Sequence, residues 1–462
     1  MLIYLRAKLG KIMAISKPIL NIRFGYGLSP NEPAFDNVAD ILADLKKADP
    51  LDNKLARPSL KERINLYERL RKARREEKQN KSNATRNLKV IRKKMQQWVA
   101  EDIKAFMVRA AISKNGFRER LVAFWADNFT VSGRNLEIML ANGAYTNEAI
   151  RANIGGKFSD LLKASATHTA MLLFLDQHVS IGPNSVAGKN RKKGLNENLA
   201  REILELHTMG VGASYTQVDV REFAKLLTGL SVGKEGFHFN PRISEPGKKT
   251  ILGKTYGGAK PNLRHIFQFL DDLAMHPETA NHIAKKLATH FISENPSKHL
   301  VATIKQAYLQ SCGDLMTIYE AMLTHEDSAK PMGGKVKWPS EYVISAIRAL
   351  GLGNELANVT AKDLRNIHSS MILMGQDLFR PAGPDGWSEK ASYWINPPSL
   401  AARINWAGGL AFEYGQELDP RILISQVLDD NVSKELLYAV GDTESKWEGL
   451  ALLLISPEFN RR

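Results

Sequence analysis

Apolar residues recur every three or four positions along most of the chain, which is the period of an amphipathic α-helix. In Arg92–Ala110, for example, Met95, Val99 and Phe106 fall on one helical face. The same pattern returns in four later segments: Glu341–Leu350, Asp363–Met374, Ala401–Phe412 and Lys446–Ile455. The spacing predicts an all-α, predominantly helical fold of about sixteen to eighteen helices. Pro277 and Pro339 each suit the first turn of one of these helices.

One segment, Gly236–Gly258, departs from the helical period. Phe237 and Phe239 alternate with polar residues, a turn-rich stretch follows, and Thr250–Leu252 is β-prone. Alternation bounded by turn residues is typical of a strand pair. We therefore predict a small β-hairpin inserted between helices near residues 236–258.

No linker is rich enough in Gly, Ser or Pro to mark a domain boundary, which favours a single large helical domain over residues 1–462. Residues 59–97 are predicted to form a protruding basic helical element within it. Two long loops, Ile181–Gly194 and Gly383–Pro398, interrupt the helices. Loops of this length tend to be functional or mobile. The second contains Trp387, an aromatic candidate for ligand or partner binding.

The formal charge of +15 is unevenly distributed. Lys61–Gln97 contains fourteen Lys or Arg and four Asp or Glu, so this segment alone carries 14 − 4 = +10. A solvated helical face is the common reason for such a run. Polyanion or nucleic-acid binding through residues 61–97 is the functional alternative.

Composition excludes several other classes. Cys312 is the single cysteine, so an intramolecular disulfide and a multi-cysteine metal site are both impossible. The longest apolar runs, such as Ala170–Leu175, are too short to span a bilayer. Arg6, Lys8 and Lys11 interrupt every candidate leader, which predicts a cytoplasmic location if the start is correct. No cofactor is evident, because phosphate-binding and dinucleotide-binding glycine motifs are missing from the sequence.

The densest set of functional side chains follows Asn196, which is a good N-cap for a helix from Glu197 to about Met209. At 100° per residue, six polar side chains share one arc of this helix. They are Glu197, Asn198, Arg201, Glu202, Glu205 and Thr208.

This arc has two interpretations. It is either a solvent-facing stripe of i,i+4 ion pairs, or a polar wall that holds a ligand or partner. We expect a partly buried network in which Arg201 holds neighbouring carboxylates, with Arg201, Glu202 and Glu205 as candidate catalytic residues. Asn196, Glu197, Asn198, Arg201, Glu205, Thr208 and Trp387 are the candidate binding residues.

A metal site has weaker support. His207 falls on the apolar flank of the same predicted helix, away from Glu202 and Glu205, and the paired-histidine zinc motif is missing from the sequence. His207 would need ligands from elsewhere, such as His168. A lone histidine on an apolar flank is more often a core residue.

These residues also carry a family resemblance. The string NENLAREILELHTMGVGASYTQVDVREFAKLLTG resembles the signature of the bacterial domain of unknown function 1800 family. The similarity extends through RFGYGLSP, FWADNFTVS, HTAMLLFLDQHVSIGPNS, KTILGKTYGG, GQDLF and ISPEFNRR. One departure is that many members have Asn-His where this chain has Asp127 and Asn128.

The resemblance implies an exported or periplasmic location in many members. It also implies a partner protein that resembles sulfatases and alkaline phosphatases. Our first hypothesis is therefore a helical binding or accessory protein that acts with such a partner at the cell envelope. The second is a hydrolase-like or transferase-like enzyme that uses the polar arc. Burial of Glu202 or Glu205 in a cleft would favour the enzyme.

Overall fold

The computed structural model describes residues 15–79, 82–190 and 194–462. These residues form 23 α-helices and two small antiparallel sheets, which confirms the all-α prediction. Three sequence-based expectations concern residues outside the described ranges. They are the interrupted leader within 1–14, Lys81 of the basic element, and residues 191–193 of the first long loop.

The helices of the first part of the chain are α1 (Lys17–Arg23), α2 (Val38–Leu45), α3 (Leu60–Lys78), α4 (Ala84–Ile112), α5 (Gly116–Asn128), α6 (Leu136–Tyr145), α7 (Phe158–Thr167), α8 (Thr169–Phe174), α9 (Asn198–Glu202) and α10 (Gln217–Leu227). Two π-helical turns, Thr146–Ile150 and Ile203–His207, directly extend α6 and α9. Capping boxes begin α3 at Ser59 and α10 at Thr216, because each hydroxyl and the carboxylate three residues later satisfy free backbone N–H groups.

The helices of the second part are α11 (Leu263–Ala274), α12 (Pro277–Phe291), α13 (Lys298–Gln310), α14 (Leu315–Leu323), α15 (Pro339–Ala349), α16 (Gly353–Asn358), α17 (Ala361–Leu373), α18 (Ala391–Trp394), α19 (Pro397–Tyr414), α20 (Pro420–Leu428), α21 (Lys434–Gly441), α22 (Lys446–Ile455) and α23 (Pro457–Asn460). Pro277 and Pro339 occupy the first position of α12 and α15, as predicted.

The predicted β insertion is confirmed, and it consists of two hairpins rather than one. β1 (Leu230–Gly233) pairs with β2 (Gly236–Phe239), and β3 (Gly247–Ile251) pairs with β4 (Lys254–Gly258). The turn between β3 and β4 has positive φ at both of its residues, 50° at Leu252 and 75° at Gly253. This is the turn geometry that two-residue hairpins favour, so the chain reverses there.

Two large hydrophobic clusters form the interior. One joins α1, α2 and α5–α14 with both hairpins. The other joins α4 to α15–α17 and α19–α23. Their common boundary matters for function, because α5 and α12 of the first cluster meet the start of α15 and the loop 383–398 there.

The basic segment forms two antiparallel helices, α3 and residues 84–97 of α4, which we name the basic hairpin. A small cluster of its own, built on Leu70, Leu88 and Met95, packs these helices against Leu140 of α6. Its cations are mostly exposed, and several of them, including Lys72 and Lys78, form no ion pair with any described residue. The segment therefore has few apolar residues, as expected, yet enough to hold its two helices together.

Candidate active site

The polar helix after Asn196 begins one residue later than predicted and is not a continuous α-helix. Asn196 Oδ1 accepts a hydrogen bond from the Asn198 backbone N–H at 2.8 Å. α9 then ends at Glu202, and the π turn Ile203–His207 follows. A π turn contains one more residue than an α turn. Predicted helical positions beyond Ile203 are therefore wrong by about one residue.

The displaced phase turns Thr208 inward, whereas His207 lies in the core, as a histidine on an apolar flank commonly does. Thr208 is fully buried, and its hydroxyl donates to the Ile203 carbonyl at 2.6 Å. The hydroxyl therefore stabilises the π turn, and ligand binding by Thr208 stays a prediction. His207 is 2% exposed, and its ring lies 5.2 Å from that of Phe129. Burial, with Lys286 nearby, lowers the pKa of His207 to about 3, so the imidazole is neutral.

Within the rest of the polar arc, Glu205 lines a cleft, and all of the side chains are partly or fully exposed. Arg201 reaches Glu197 at 3.4 Å and Glu205 at 3.3 Å, and its side chain is 38% exposed. Glu202 is half-buried, and burial together with the charge of Glu205 raises its pKa. Asn198 is exposed. Arg201 thus does bridge two carboxylates, as the sequence suggests, but through long contacts.

The cleft, which we name the outer cleft, lies between the π turn and α12 and has a volume of about 550 Å³. Glu205 and Gly210 line one side, and His282, Lys286 and Glu389 line the other. Gly210 has φ +97°, and a Cβ there would lie 2.7 Å from His282 Nδ1. Only glycine therefore allows the chain to pass this close to α12.

α12 supplies the ionisable floor of the outer cleft. His282, Lys286 and His290 are spaced four residues apart and so lie along one helical face. Burial lowers the pKa of Lys286, although nearby carboxylates, Asp127 first among them, oppose this. Its ammonium group forms no hydrogen bond, and no ion pair within 4.0 Å, with any part of the chain that the structure describes. Burial likewise lowers the pKa of His282 to about 4.

Asp127, on the last turn of α5, faces the loop 383–398. Its Oδ1 accepts a hydrogen bond from the Trp387 backbone N–H at 2.8 Å. Gly386 has φ +80°, and a Cβ there would come within 2.6 Å of the same oxygen, so the preceding glycine permits this contact. Solvent still reaches part of the Asp127 carboxyl, but protein atoms surround it closely. Burial therefore raises its pKa to about 8, against the opposing effects of Lys286 and the Trp387 N–H.

Asp127 also lines a second and smaller space, which we name the inner pocket. Its volume is about 80 Å³, and its walls come from α5, α6, the start of α15 and residues 376–387. Trp387 lines the inner pocket, whereas Glu389 lines the outer cleft. The loop between these two residues therefore borders both spaces.

A set of buried charges fixes this loop in place. His290 Nδ1 and Glu389 Oε1 are 2.7 Å apart, and Lys335 Nζ donates to Glu389 Oε2 at 2.8 Å. Arg120 donates to His290 Nε2 at 3.0 Å. Because arginine can only donate, His290 carries its hydrogen on Nδ1 and is neutral. Burial accordingly lowers its pKa to about 4.

Glu341 extends these contacts into the interior. It forms ion pairs with Arg120 and with Arg462, whose Nε donates to Glu341 Oε2 at 3.0 Å. Burial opposes ionisation of Glu341, but the two guanidinium groups lower its pKa to about 2. We call the set Arg120, His290, Lys335, Glu341, Glu389 and Arg462 the buried charge network.

The metal candidates do not assemble into a site. His168 accepts a backbone hydrogen bond from Ala170 at 3.2 Å and lies 3.8 Å from Glu148, whereas His207 packs on Phe129. Within residues 15–79, 82–190 and 194–462, no group of three or more His, Cys, Asp or Glu side chains is arranged to hold an ion.

Sequence reasoning named Trp387 and the edge of the outer cleft but missed the floor. Lys286 and His282 lie on a helix whose Ala and Leu residues are buried, and no motif marks them. Their spacing of four, repeated at His290, is the signal that predicts one polar face on an otherwise apolar helix. The sequence singles out Asp127 only because it departs from the pattern of the family.

The fold and the site together define a helical protein with a polar cleft whose floor carries ionisable groups of shifted pKa. The chain belongs to the family described as protein of unknown function (DUF1800), which matches residues 19–461. This confirms the resemblance seen in the sequence. No curated protein and no solved structure matches the chain. None of the helices in the described part of the chain has the length and apolar character needed to cross a bilayer.

Proposed function

We propose that the protein is an enzyme in which Lys286 and Asp127 act as a general base and a general acid on a substrate that reaches from the outer cleft to the inner pocket. The observation that carries this proposal is the position of the two groups. Lys286 lines the outer cleft, Asp127 lines the inner pocket, and the loop 387–389 borders both spaces.

The two groups are poised for opposite proton transfers. Burial favours the neutral amine of Lys286 and the neutral carboxylic acid of Asp127. A neutral amine accepts a proton from water or a substrate hydroxyl as that group attacks, and a carboxylic acid donates one to a leaving oxygen or nitrogen. Ionisable groups whose pKa values are shifted by burial towards neutral pH are typical of acid–base catalysis. The reaction class is hydrolysis or group transfer.

Lys286 is therefore the residue to test first. Limited acylation with an N-hydroxysuccinimide ester, from mildly acidic to alkaline pH, followed by peptide mass spectrometry, gives the pH midpoint of labelling for each lysine. Lys285 is the matched control, because it precedes Lys286 on α12 and is exposed. We expect Lys286 to be labelled with a lower midpoint than Lys285. In Asp127→Asn that midpoint should fall further, because the carboxylate no longer favours the ammonium form.

Catalysis itself is tested with a panel of model esters, amides and phosphate esters. We expect Lys286→Met and Asp127→Asn to abolish any turnover that the parent shows, and Lys362→Met, at an exposed lysine that lines neither space, to retain it. Equal labelling midpoints for Lys286 and Lys285, unaffected by Asp127→Asn, would refute the acid–base pair. The accessory role with a sulfatase-like partner would then be the better hypothesis.

A further inference from the structure

The inner pocket is built to hold a small chemical group. Its volume of about 80 Å³ is several times the roughly 10–15 Å³ that one water molecule needs on the same measure. Phe106, Phe379, Trp338 and Trp387 form much of its wall. Apolar walls with a few well-placed polar groups are characteristic of sites that recognise small molecules.

Two buried polar side chains in this wall have unused hydrogen-bonding capacity. Gln376 is 2% exposed, and its Oε1 accepts from the Ser340 backbone N–H at 2.8 Å. Its Nε2, and the hydroxyl of Ser340, which is 4% exposed, make no hydrogen bond with any described residue. Both atoms keep some accessible surface, and both residues line the inner pocket. The pocket therefore presents one amide donor and one hydroxyl side by side.

The charge of the pocket limits what can bind there. Asp127 is the single ionisable residue among those that line it. An anion would find no cationic lining residue and would face this carboxyl group, so its desolvation would not be offset. A cation would find no carboxylate to pair with, because burial favours the neutral form of Asp127, so its desolvation would not be offset either. An uncharged group that accepts hydrogen bonds meets neither difficulty.

We propose that the inner pocket binds an uncharged carbonyl group of the substrate, such as a carboxamide, with Gln376 Nε2 and the Ser340 hydroxyl as donors. This inference rests on the proposed function for one point only, which is that Asp127 supplies the acidic hydrogen on the same side of the substrate.

Three small planar molecules of nearly identical shape separate the alternatives. Acetamide is neutral, acetate is an anion and acetamidinium is a cation at neutral pH. Saturation-transfer NMR on the full-length protein detects weak binding, and titration of tryptophan indole resonances gives the affinity. We expect acetamide to bind in the millimolar range and roughly tenfold more tightly than either ion. Tighter binding of acetate or acetamidinium would overturn the proposal, as would equal binding of all three.

Variants locate the binding. Ser340→Ala and Gln376→Leu should each weaken acetamide binding several-fold, and Lys362→Met, at an exposed lysine that lines neither space, should leave it unchanged. Ser340→Ala keeps the backbone contact to Gln376, so it stays informative if Gln376→Leu does not fold. Unchanged affinity in Ser340→Ala would contradict the assignment.

The outcome is independent of the acid–base pair. If acetamide does not bind but Lys286 is labelled with a lower midpoint than Lys285, only the proposal for the inner pocket is rejected. Acetamide binding with Lys286 labelled like Lys285 supports the pocket and rejects the proposed function.

Discussion

The buried charge network and the basic hairpin use the same kinds of residue in opposite surroundings. Arg120, Glu341 and Arg462 are almost completely buried and contact one another. Lys72 and Lys78 of the basic hairpin are exposed to solvent. Charge density alone draws attention to the basic hairpin, but the energy of a charge depends on its burial. The buried charge network does not stand out in the sequence, yet it contains the stronger electrostatic interactions.

The largest expected effect is at the centre of the network. Glu341→Gln leaves two buried guanidinium groups without their carboxylate, so we expect the free energy of unfolding to fall by about 3–5 kcal/mol. Urea denaturation followed by tryptophan fluorescence measures this. The control is Glu235→Gln, which removes an exposed ion pair with Lys61 of the basic hairpin and should cost less than about 1 kcal/mol. Equal losses in the two variants would remove the distinction between the regions.

The next prediction concerns pH and separates the members of the proposed catalytic pair. In Lys286→Met, the unfolded chain releases the Asp127 proton near the ordinary pKa of 3.8. The folded chain keeps this proton up to its raised pKa, which is about 8 in the parent. Stability should therefore fall as pH rises through this range. In Asp127→Asn, the unfolded chain keeps the Lys286 proton up to 10.5, whereas the folded chain loses it earlier. Stability should then rise with pH.

Each slope is limited to about 1.4 kcal/mol per pH unit for one proton. Urea denaturation of both variants and the parent over a pH series gives the signs. Slopes of the same sign, relative to the parent, would show that the two groups do not have shifted pKa values of opposite direction.

The polar arc should respond less strongly, because it lies between the two extremes. A fully buried network would make the loss of Arg201 cost about 3–5 kcal/mol. Its side chain is 38% exposed and that of Glu205 is 23% exposed, so we expect Arg201→Ala and Glu205→Gln to cost about 1 kcal/mol or less. Thermal melts measure both variants. A large loss of unfolding free energy in Arg201→Ala would show that the polar arc behaves like the buried charge network.

The smallest effect on stability is expected in the basic hairpin. Replacing Arg71, Lys72, Arg74 and Arg75 by glutamine should change the free energy of unfolding by less than about 1 kcal/mol, because the pairs of Arg71 with Glu68 and Arg74 with Glu137 are at the surface. Any heparin binding by the parent should weaken in the variant and fall with added salt. Heparin affinity that is unchanged in the variant would exclude this surface as a polyanion site.

The sequence predicts helices well here because burial is periodic along each of them. Lys446–Ile455 was delimited correctly, since its capping box at Ser445 and its apolar period agree. The phase of the helix after Asn196 could not be predicted, because the 100° rule assumes an α-helix throughout. The residues ILELH alone do not distinguish a π turn from an α turn. The distinction depends on tertiary contacts, such as that between His282 Nε2 and the Leu206 carbonyl oxygen at 3.3 Å.

The sequence predicts only part of the candidate site, for a similar reason. Trp387 lies in a long aromatic loop, a signal that local composition carries. Lys286 and Asp127 acquire their shifted pKa values from burial between segments that are distant in sequence. Side chains of these types occur throughout the chain, and only the folded arrangement separates these two from the rest.

The anchoring of the loop 383–398 has a consequence for how the protein folds. Asp127 and Trp387 are 260 residues apart in sequence, and the loop also contacts α12 and Lys335. We expect contacts of such long range to form late, because the entropy of loop closure must be overcome before they become favourable. A partly folded chain would hold its helices but lack an assembled site. Ligand binding at the outer cleft would therefore report complete folding more faithfully than helical content does.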